Sequence, residues 1–359
     1  MKRVLFIVAH RPNRSPGQRF RFEQYLGYLS QKGFTCEISF LLSEKDDKFF
    51  YRNGNYLRKF FILIKSILIR FKDLRRIKDF DIVFIYREAV MYGSTFFERQ
   101  FKRKGAQIIL DFDDSIWLMD VSEANKDLKW LKRPSKTSEL IQISNMVFVG
   151  NNYLADYTRQ FNHNVRIIPT TLDTNNIPLK EYIPSEKICI GWTGSRTTIK
   201  HFELAVPILK KIKEKYNNKI KFKLISDAPG NIDNLLLEFC KWNKDTEIGD
   251  LQEFDIGIMP LPDDEWSRGK CGFKGLQYMA LGIPAVLSPV GVNTEIVQDG
   301  VNGFLAANDE EWIEKLSLLI ESPDLRKKIG LNGRKTIVEK YSFNAWKEKY
   351  ISYFEELVN

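Results

Sequence analysis

Apolar residues in this chain gather into short continuous runs at 3–9, 34–42, 80–86, 106–110, 146–150 and 165–168. Runs without strict alternation are the pattern of strands covered on both faces of a parallel sheet. Helical spacing lies between them, at 56–78, 92–104 and 153–161, while 43–55 reads as polar loop and 115–133 as irregular loop or lid. After 175–185, which contains Pro178 and Pro184 and reads as a linker, the pattern restarts. Strands are predicted at 188–192, 220–226, 255–259 and 285–287, and helices at 232–242, around 276–280, and at 310–321, 323–340 and 343–357. This alternation predicts an α/β chain of two doubly wound Rossmann-like domains facing each other across a cleft. The boundaries drawn are 1–173, a linker at 174–186, 187–341, and a terminal helix at 342–359.

The loops that follow strands carry the candidate chemistry, because loop N–H groups and helix N-termini are where such folds hold phosphate. Ser15-Pro16-Gly17-Gln18 reads as a helix start, with a Ser cap, Pro at the first position and Gln18 closing a capping box. Arg19 and Arg21 follow at once, so the turn is a candidate anion cradle, the alternative being a solvated first turn with surface arginines. Asp111-Phe112-Asp113-Asp114 ends another strand, where carboxylates either meet a ligand, orient Arg87 or simply cap a helix. In the second half, Lys270 and Lys274 stand four apart at a helix start, a spacing that turns both ammonium groups toward one anion.

The most amphipathic segment is 56–78. Leu57, Phe60, Phe61, Ile64, Ile67, Leu68, Phe71 and Leu74 form one stripe, widened by Ile62, Leu63 and Ile69. Around it stand eight basic residues, Arg58, Lys59, Lys65, Arg70, Lys72, Arg75, Arg76 and Lys78, against the single acid Asp73. One reading is an ordinary helix packed on the sheet with a solvated basic face. The favoured reading is docking on an anionic membrane leaflet. Nucleic acid is not the expected partner, because no sequence signature of such a module accompanies the charge.

Composition narrows the rest. The 359 residues carry 55 basic and 46 acidic side chains, a net +9 that favours anionic partners. Four scattered cysteines without a Cys-x-x-Cys pair and three scattered histidines argue against disulfides or a metal cluster. No run reads as a signal peptide or a transmembrane helix, so the expectation is a cytoplasmic protein, peripheral on the inner face of the cell membrane.

The stretch 277–286 reads Gln-Tyr-Met-Ala-Leu-Gly-Ile-Pro-Ala-Val, followed by Ser288-Pro289-Val290-Gly291 and then by Glu-Ile-Val-Gln-Asp-Gly-Val-Asn-Gly-Phe-Leu at 295–305. This resembles the donor half of group 1 glycosyltransferases, retaining GT-B enzymes that transfer sugar from a nucleotide. Pro169 to Asp173 is similar to the family's Pro-Asn-Gly-Val-Asp turn that closes the first domain. Thr193 to Lys200 is similar to its glycine loop, with Arg196 one place later than usual. The family carries two glutamates eight apart; here Gly269 stands at the first place and Gln277 at the second.

The resemblance implies a nucleotide-sugar donor site at Gly194, Ser195, Arg196, Lys200, Lys270, Lys274, Gln277, Gly291, Val292, Asn293 and Glu295. Within it Arg196 and Lys274 would stabilise the leaving diphosphate, Gln277 would hold the ribose, and Glu295 would fix its loop or meet the sugar. Gly17, Arg19, Arg21, Asp113 and Asp114 would serve the acceptor side, and the terminal helix would cross back onto the first domain. Asp111-x-Asp113 also resembles the metal-binding triplet of the GT-A fold but lies in the wrong half; no metal and no cofactor are expected. The implied activity is transfer of a sugar, with retention, to a saccharide or lipid-linked acceptor in cell-surface polysaccharide synthesis. The alternatives are a sugar-nucleotide epimerase on the same fold, which needs no acceptor, and a non-catalytic GT-B or nucleic-acid-binding protein.

Overall fold

The structure, a computed structural model, describes residues 2–119, 123–183, 185–229 and 235–358. Pro184 of the expected linker, residues 120–122 of the expected lid, residues 232–234 of an expected helix and Asn359 lie outside the described residues. The chain divides into two compact units, Met1–Thr171 with Trp346–Asn359, and Leu172–Ala345. Each holds a parallel six-stranded sheet with helices, the doubly wound architecture that the alternation predicts.

In the first unit the strands are β1 (Lys2–His10), β2 (Phe34–Leu42), β3 (Ile82–Tyr86), β4 (Gln107–Phe112), β5 (Met146–Val149) and β6 (Val165–Ile167), in the order β2-β1-β3-β4-β5-β6. Val4 to Val8 of β1 are wholly buried, as a central strand covered on both faces requires. The chain leaves β1 first toward β2 and then returns to the other side at β3, so the strand order reverses between β1 and β3. In such sheets the crevice outside the carboxyl ends at this reversal is the ligand position.

The second unit repeats the arrangement with β7 (Ile188–Gly194), β8 (Ile220–Ser226), β9 (Leu237–Lys241), β10 (Ile256–Met259), β11 (Ala285–Leu287) and β12 (Phe304–Leu305), in the order β12-β11-β10-β7-β8-β9. Its reversal lies between β7 and β10. The terminal helix Phe343–Val358 packs its outer half into the first unit, where the Tyr350 ring stacks on Tyr25 at 4.0 Å and Phe354 faces Phe84.

Several local expectations are corrected. The polar segment 43–55 is not a loop throughout: Glu44–Phe50 is a helix, started by a capping box between Ser43 and Asp46. At 232–242 the described residues hold strand β9 instead of a helix; Leu237–Lys241 pairs in parallel with β8 at the sheet edge. Tertiary pairing overrides helical spacing there. Gln18 closes no capping box, because Ser15 makes no side-chain cap bond. The Gln18 side chain is instead fully buried, accepting from the His10 N–H at 3.0 Å and donating to the His10 carbonyl at 2.9 Å. It thereby fixes the last residue of β1.

The helix Tyr56–Arg76 departs from an ordinary helix packed by its apolar stripe on the sheet. Its buried face is Lys59, Ile62, Ser66, Arg70 and Asp73, and most of the apolar stripe, from Leu57 to Phe71, faces outward. Arg70 explains the inversion. Its guanidinium donates to the carbonyls of Ala89 (2.7 Å) and Val8 (2.8 Å), to Ser39 Oγ (2.9 Å) and to Asp73 (2.9 Å). A buried arginine with these partners is neutralised and satisfied, so the polar face can sit inside.

Candidate active site

At the carboxyl end of β7, Gly194 leads into Ser195 and a short turn at Arg196–Thr198. A Cβ at Gly194 would stand 2.3 Å from the Trp192 ring, so the loop lies directly on that indole. Ser195 Oγ lies 2.9 Å from the Thr197 hydroxyl, and the Arg196 N–H donates to Asp227 at 2.5 Å, tying this loop to the end of β8. The Arg196 and Lys200 side chains are exposed.

Lys270 and Lys274 do not share a helix. A short helix, Glu265–Arg268, ends before Lys270, and the next, Phe273–Ala280, starts after Gly272, whose φ of +68° breaks the register. The Lys270 ammonium lies over the Trp266 ring at 5.8 Å, and that of Lys274 over Trp192 at 5.4 Å. What brings them together is His201, buried on the helix Ile199–Glu203. Desolvation, followed by Lys270, Lys274 and Lys200 and opposed by Asp264, pulls its imidazole down to about 3. The histidine is therefore neutral at physiological pH, and the charges of three lysines act on it.

Gln277 is buried, and its Nε2 donates to Glu247 at 3.1 Å. Glu247 also accepts from Trp242 Nε1 at 3.1 Å, so a carboxylate enters this corner from a distant element. Gly291 has φ +55° and sits where a Cβ would approach the Arg268 carbonyl oxygen to 2.5 Å. The N–H groups of Asn293, Thr294 and Glu295 fold back onto the carbonyls of Val290, Gly291 and Val292. Asn293 is buried and donates its side-chain amide to the Ser288 carbonyl at 2.9 Å, while Val292 is buried and Glu295 exposed near Tyr341.

In the first unit the reversal between β1 and β3 carries a second charged cluster. Arg87, directly after β3 with φ +66°, donates to Asp113 at 2.7 Å and also grips Asp114. The Tyr86 hydroxyl donates to the same Asp113 oxygen at 2.8 Å. Burial would raise the Asp113 carboxyl, but the Arg87 guanidinium, with Arg21 behind it, holds it below the usual carboxylate range. Desolvation pulls His10, at the end of β1, down to about 4; Asp47 opposes this, while Arg14, Arg87 and Arg11 add to it.

Gly17 joins this cluster because it lets the helix start approach Tyr86: a Cβ there would stand 2.1 Å from the phenolic oxygen and 3.1 Å from Asp113. Gly17→Ala is expected to displace the Tyr86 hydroxyl and lower stability by about 1–3 kcal/mol. Gly27→Ala, where nothing lies within 4 Å, is the control with an unchanged or higher melting temperature. Arg19 and Arg21 part company. Arg19 is half-buried beside the Phe20 ring, whereas Arg21 is buried in an ion pair with Asp111 and donates to the Ile168 carbonyl.

His201, Glu247 and Trp242, with His10 and Tyr86, belong to these clusters without having been singled out in the sequence. His10 stands at the end of an apolar run, and that position alone could have flagged it. The others carry no local signal. Among the described residues no group of three or more His, Cys, Asp or Glu is placed to hold a metal ion.

Comparison with known proteins fits this geometry. Residues 187–322 match the family model described as glycosyl transferases group 1. An uncharacterized glycosyltransferase of Methanocaldococcus jannaschii is 28% identical over 190 residues, 42% of this chain and 48% of that protein. The chain thus spans about half the length of this curated relative. The sucrose-phosphate synthase of Thermosynechococcus elongatus superposes with a TM-score of 0.74 at 13% identity, covering 99% of both chains. HepE of Anabaena, solved in complex with UDP and glucose, superposes with a TM-score of 0.68 at 12% identity, over 99% of this chain and 100% of that one. Residues 187–322 thus carry a domain that matches the group 1 glycosyltransferases, and the chain has the GT-B fold of these solved structures.

Proposed function

We propose that this protein transfers a sugar from a nucleotide-sugar donor to a saccharide or lipid-linked acceptor, with retention of configuration and without a metal, in cell-surface polysaccharide synthesis. The observation that carries the reading is the Lys274 ammonium 5.4 Å from the Trp192 ring, on which the Gly194 loop also lies at the carboxyl end of β7, with Lys270 and Lys200 near enough to help lower the His201 imidazole. Three ammonium groups at a strand-order reversal suit a diphosphate better than any neutral ligand. HepE, a structural neighbour, is described with UDP and glucose, which supports the same ligand class here.

In the proposed reaction the bond from the anomeric carbon to the diphosphate oxygen breaks, the acceptor hydroxyl oxygen bonds to that carbon on the same face, and the hydroxyl proton passes to the departing diphosphate. The sugar passes through an oxocarbenium-like state while negative charge grows on the departing diphosphate. Lys274, Lys270 and Arg196 would stabilise that charge, with Lys200 at the helix start and the N–H groups of Gly291 and Val292 as further donors. Gln277, backed by Glu247, would hold the ribose, and Glu295 would order the loop or meet the sugar. Asp113, Asp114 and Arg87 in the first unit, with Gly17 and Arg19, would receive the acceptor. A lipid-linked acceptor places the enzyme at the inner face of the cell membrane.

Calorimetric titration of the wild-type chain with UDP, GDP, ADP and TDP tests this reading. One of the four is expected to bind saturably. Absence of heat and of thermal stabilisation with all four at millimolar ligand would sink it. An epimerase on the same fold is set apart by turnover of the nucleotide-sugar in the absence of any acceptor.

A further inference from the structure

On the helix Tyr56–Arg76 the amphipathic pattern is turned inside out. Its polar side, Ser66, Arg70 and Asp73, is buried, and its opposite side presents Leu57, Phe60, Phe61, Ile64, Leu68 and Phe71 to solvent. The exposures are large: Leu57 70%, Phe60 56%, Phe61 59% and Leu68 63%. A helix folded against its own domain places its apolar stripe inward, and a contiguous apolar face left outside marks an interaction surface. Phe96, also exposed, extends the ridge from the next helix, with its ring centroid 6.1 Å from that of Phe71.

Charge decides the occupant. The structure removes part of the basic set that the sequence displays: Lys59 bonds Asn125, Arg70 is buried on Asp73, and Arg76 pairs with Glu37 and Asp73. Exposed basic side chains remain at Arg58, Lys65 and Lys72, seven apart and so on one flank of the ridge, and at Arg75 and Lys78 beyond its end. Lys65 reaches Asp46, and Arg58 stacks on Phe49 at 3.8 Å, but both stay at the surface. The helix's single acid, Asp73, is buried, so no carboxylate of this helix faces outward. A second copy of the chain would bring its own cations to the same edge, whereas an anionic bilayer neutralises them.

We propose that this face is a membrane-docking surface: the ridge of Leu57, Phe60, Phe61, Ile64, Leu68 and Phe71 enters the interface of an anionic phospholipid bilayer, with the Arg58–Lys65–Lys72 row at the headgroups. The helix lies in the plane of the interface and its apolar face reaches about 5–10 Å inward. No described helix is long and apolar enough to cross a membrane, so the attachment is lateral. Binding is dominated by apolar insertion, with cations steering it to anionic lipid. This deepens the membrane-surface element of the proposed function and is independent of the donor chemistry, so nucleotide binding and vesicle binding can fail separately.

Co-sedimentation of the full chain with phosphatidylcholine vesicles, with and without phosphatidylglycerol, tests it. The wild type should bind the mixed vesicles and retain much of that binding in high salt. The triple variant Phe60→Ser, Phe61→Ser, Leu68→Ser removes exposed side chains, so its circular dichroism and nucleotide binding should be unchanged while vesicle affinity falls at least about tenfold. Lys72→Gln with Arg75→Gln should lose the preference for phosphatidylglycerol but keep residual binding. Failure of the wild type to sediment, or equal binding by the triple variant, overturns the proposal. So does a wild-type dimer in light scattering that the triple variant makes monomeric without any vesicle binding.

Discussion

Lys274→Ala is expected to lower kcat/KM for sugar transfer by about 10²–10³, or about 3–4 kcal/mol of transition-state stabilisation. The ammonium lies over the Trp192 ring beneath the Gly194 loop, within the group of lysines that surround His201. A charge fixed against an aromatic face is already oriented before the diphosphate develops its negative charge, so its removal falls mainly on kcat. Lys200→Ala is the informative comparison. Lys200 is exposed at the start of its helix and solvent screens it, so its loss should be several-fold smaller. Steady-state kinetics with the donor identified by calorimetry decides the matter. A Lys274→Ala protein with wild-type kcat/KM and intact nucleotide binding would move the diphosphate elsewhere.

Asp111→Ala is expected to destabilise the protein by about 3–5 kcal/mol, because it leaves Arg21 as a buried charge without its partner. Both side chains are almost fully buried, and Arg21 contacts Asp111 through Nε and Nη2 while Nη1 holds the Ile168 carbonyl. The pair joins the first helix to β4 and to the end of β6, so its rupture loosens the floor beneath Asp113. Replacing both partners by apolar residues, Arg21→Met with Asp111→Leu, should recover most of the loss, since two desolvated charges leave together. Denaturant unfolding measures all three variants. If the double variant were no more stable than Asp111→Ala, the loss would lie in the Ile168 bond and the packing instead of in the charge.

Much of the fold was legible because the middle of a strand buried on both faces is apolar, as in β1, β3 and β5 and in Ile108–Leu110 of β4. The site was partly legible for a similar reason: Gly194 and Gly291 mark loops where the backbone must turn tightly or approach another chain segment, and lysines beside such loops invite an anion. Spacing misled where it assumed continuity. Lys270 and Lys274 are four apart, but Gly272 interrupts the helix between them, and only the surrounding of His201 unites them.

Sequence by itself determined two doubly wound halves, their reversal-point loops and the resemblance of the second half to a known domain. Those features depend on local apolar runs, glycines and short-range order, which the chain carries wherever it folds. Tertiary structure alone decided which way the helix at Tyr56–Arg76 faces, that Arg21 is buried while Arg19 is not, and that Glu247 backs Gln277 across a sequence gap of 30 residues. The physical reason is common to all three. A charged side chain is free to enter the interior only if a partner from elsewhere in the chain meets it there, and no periodicity within one segment records where that partner will be.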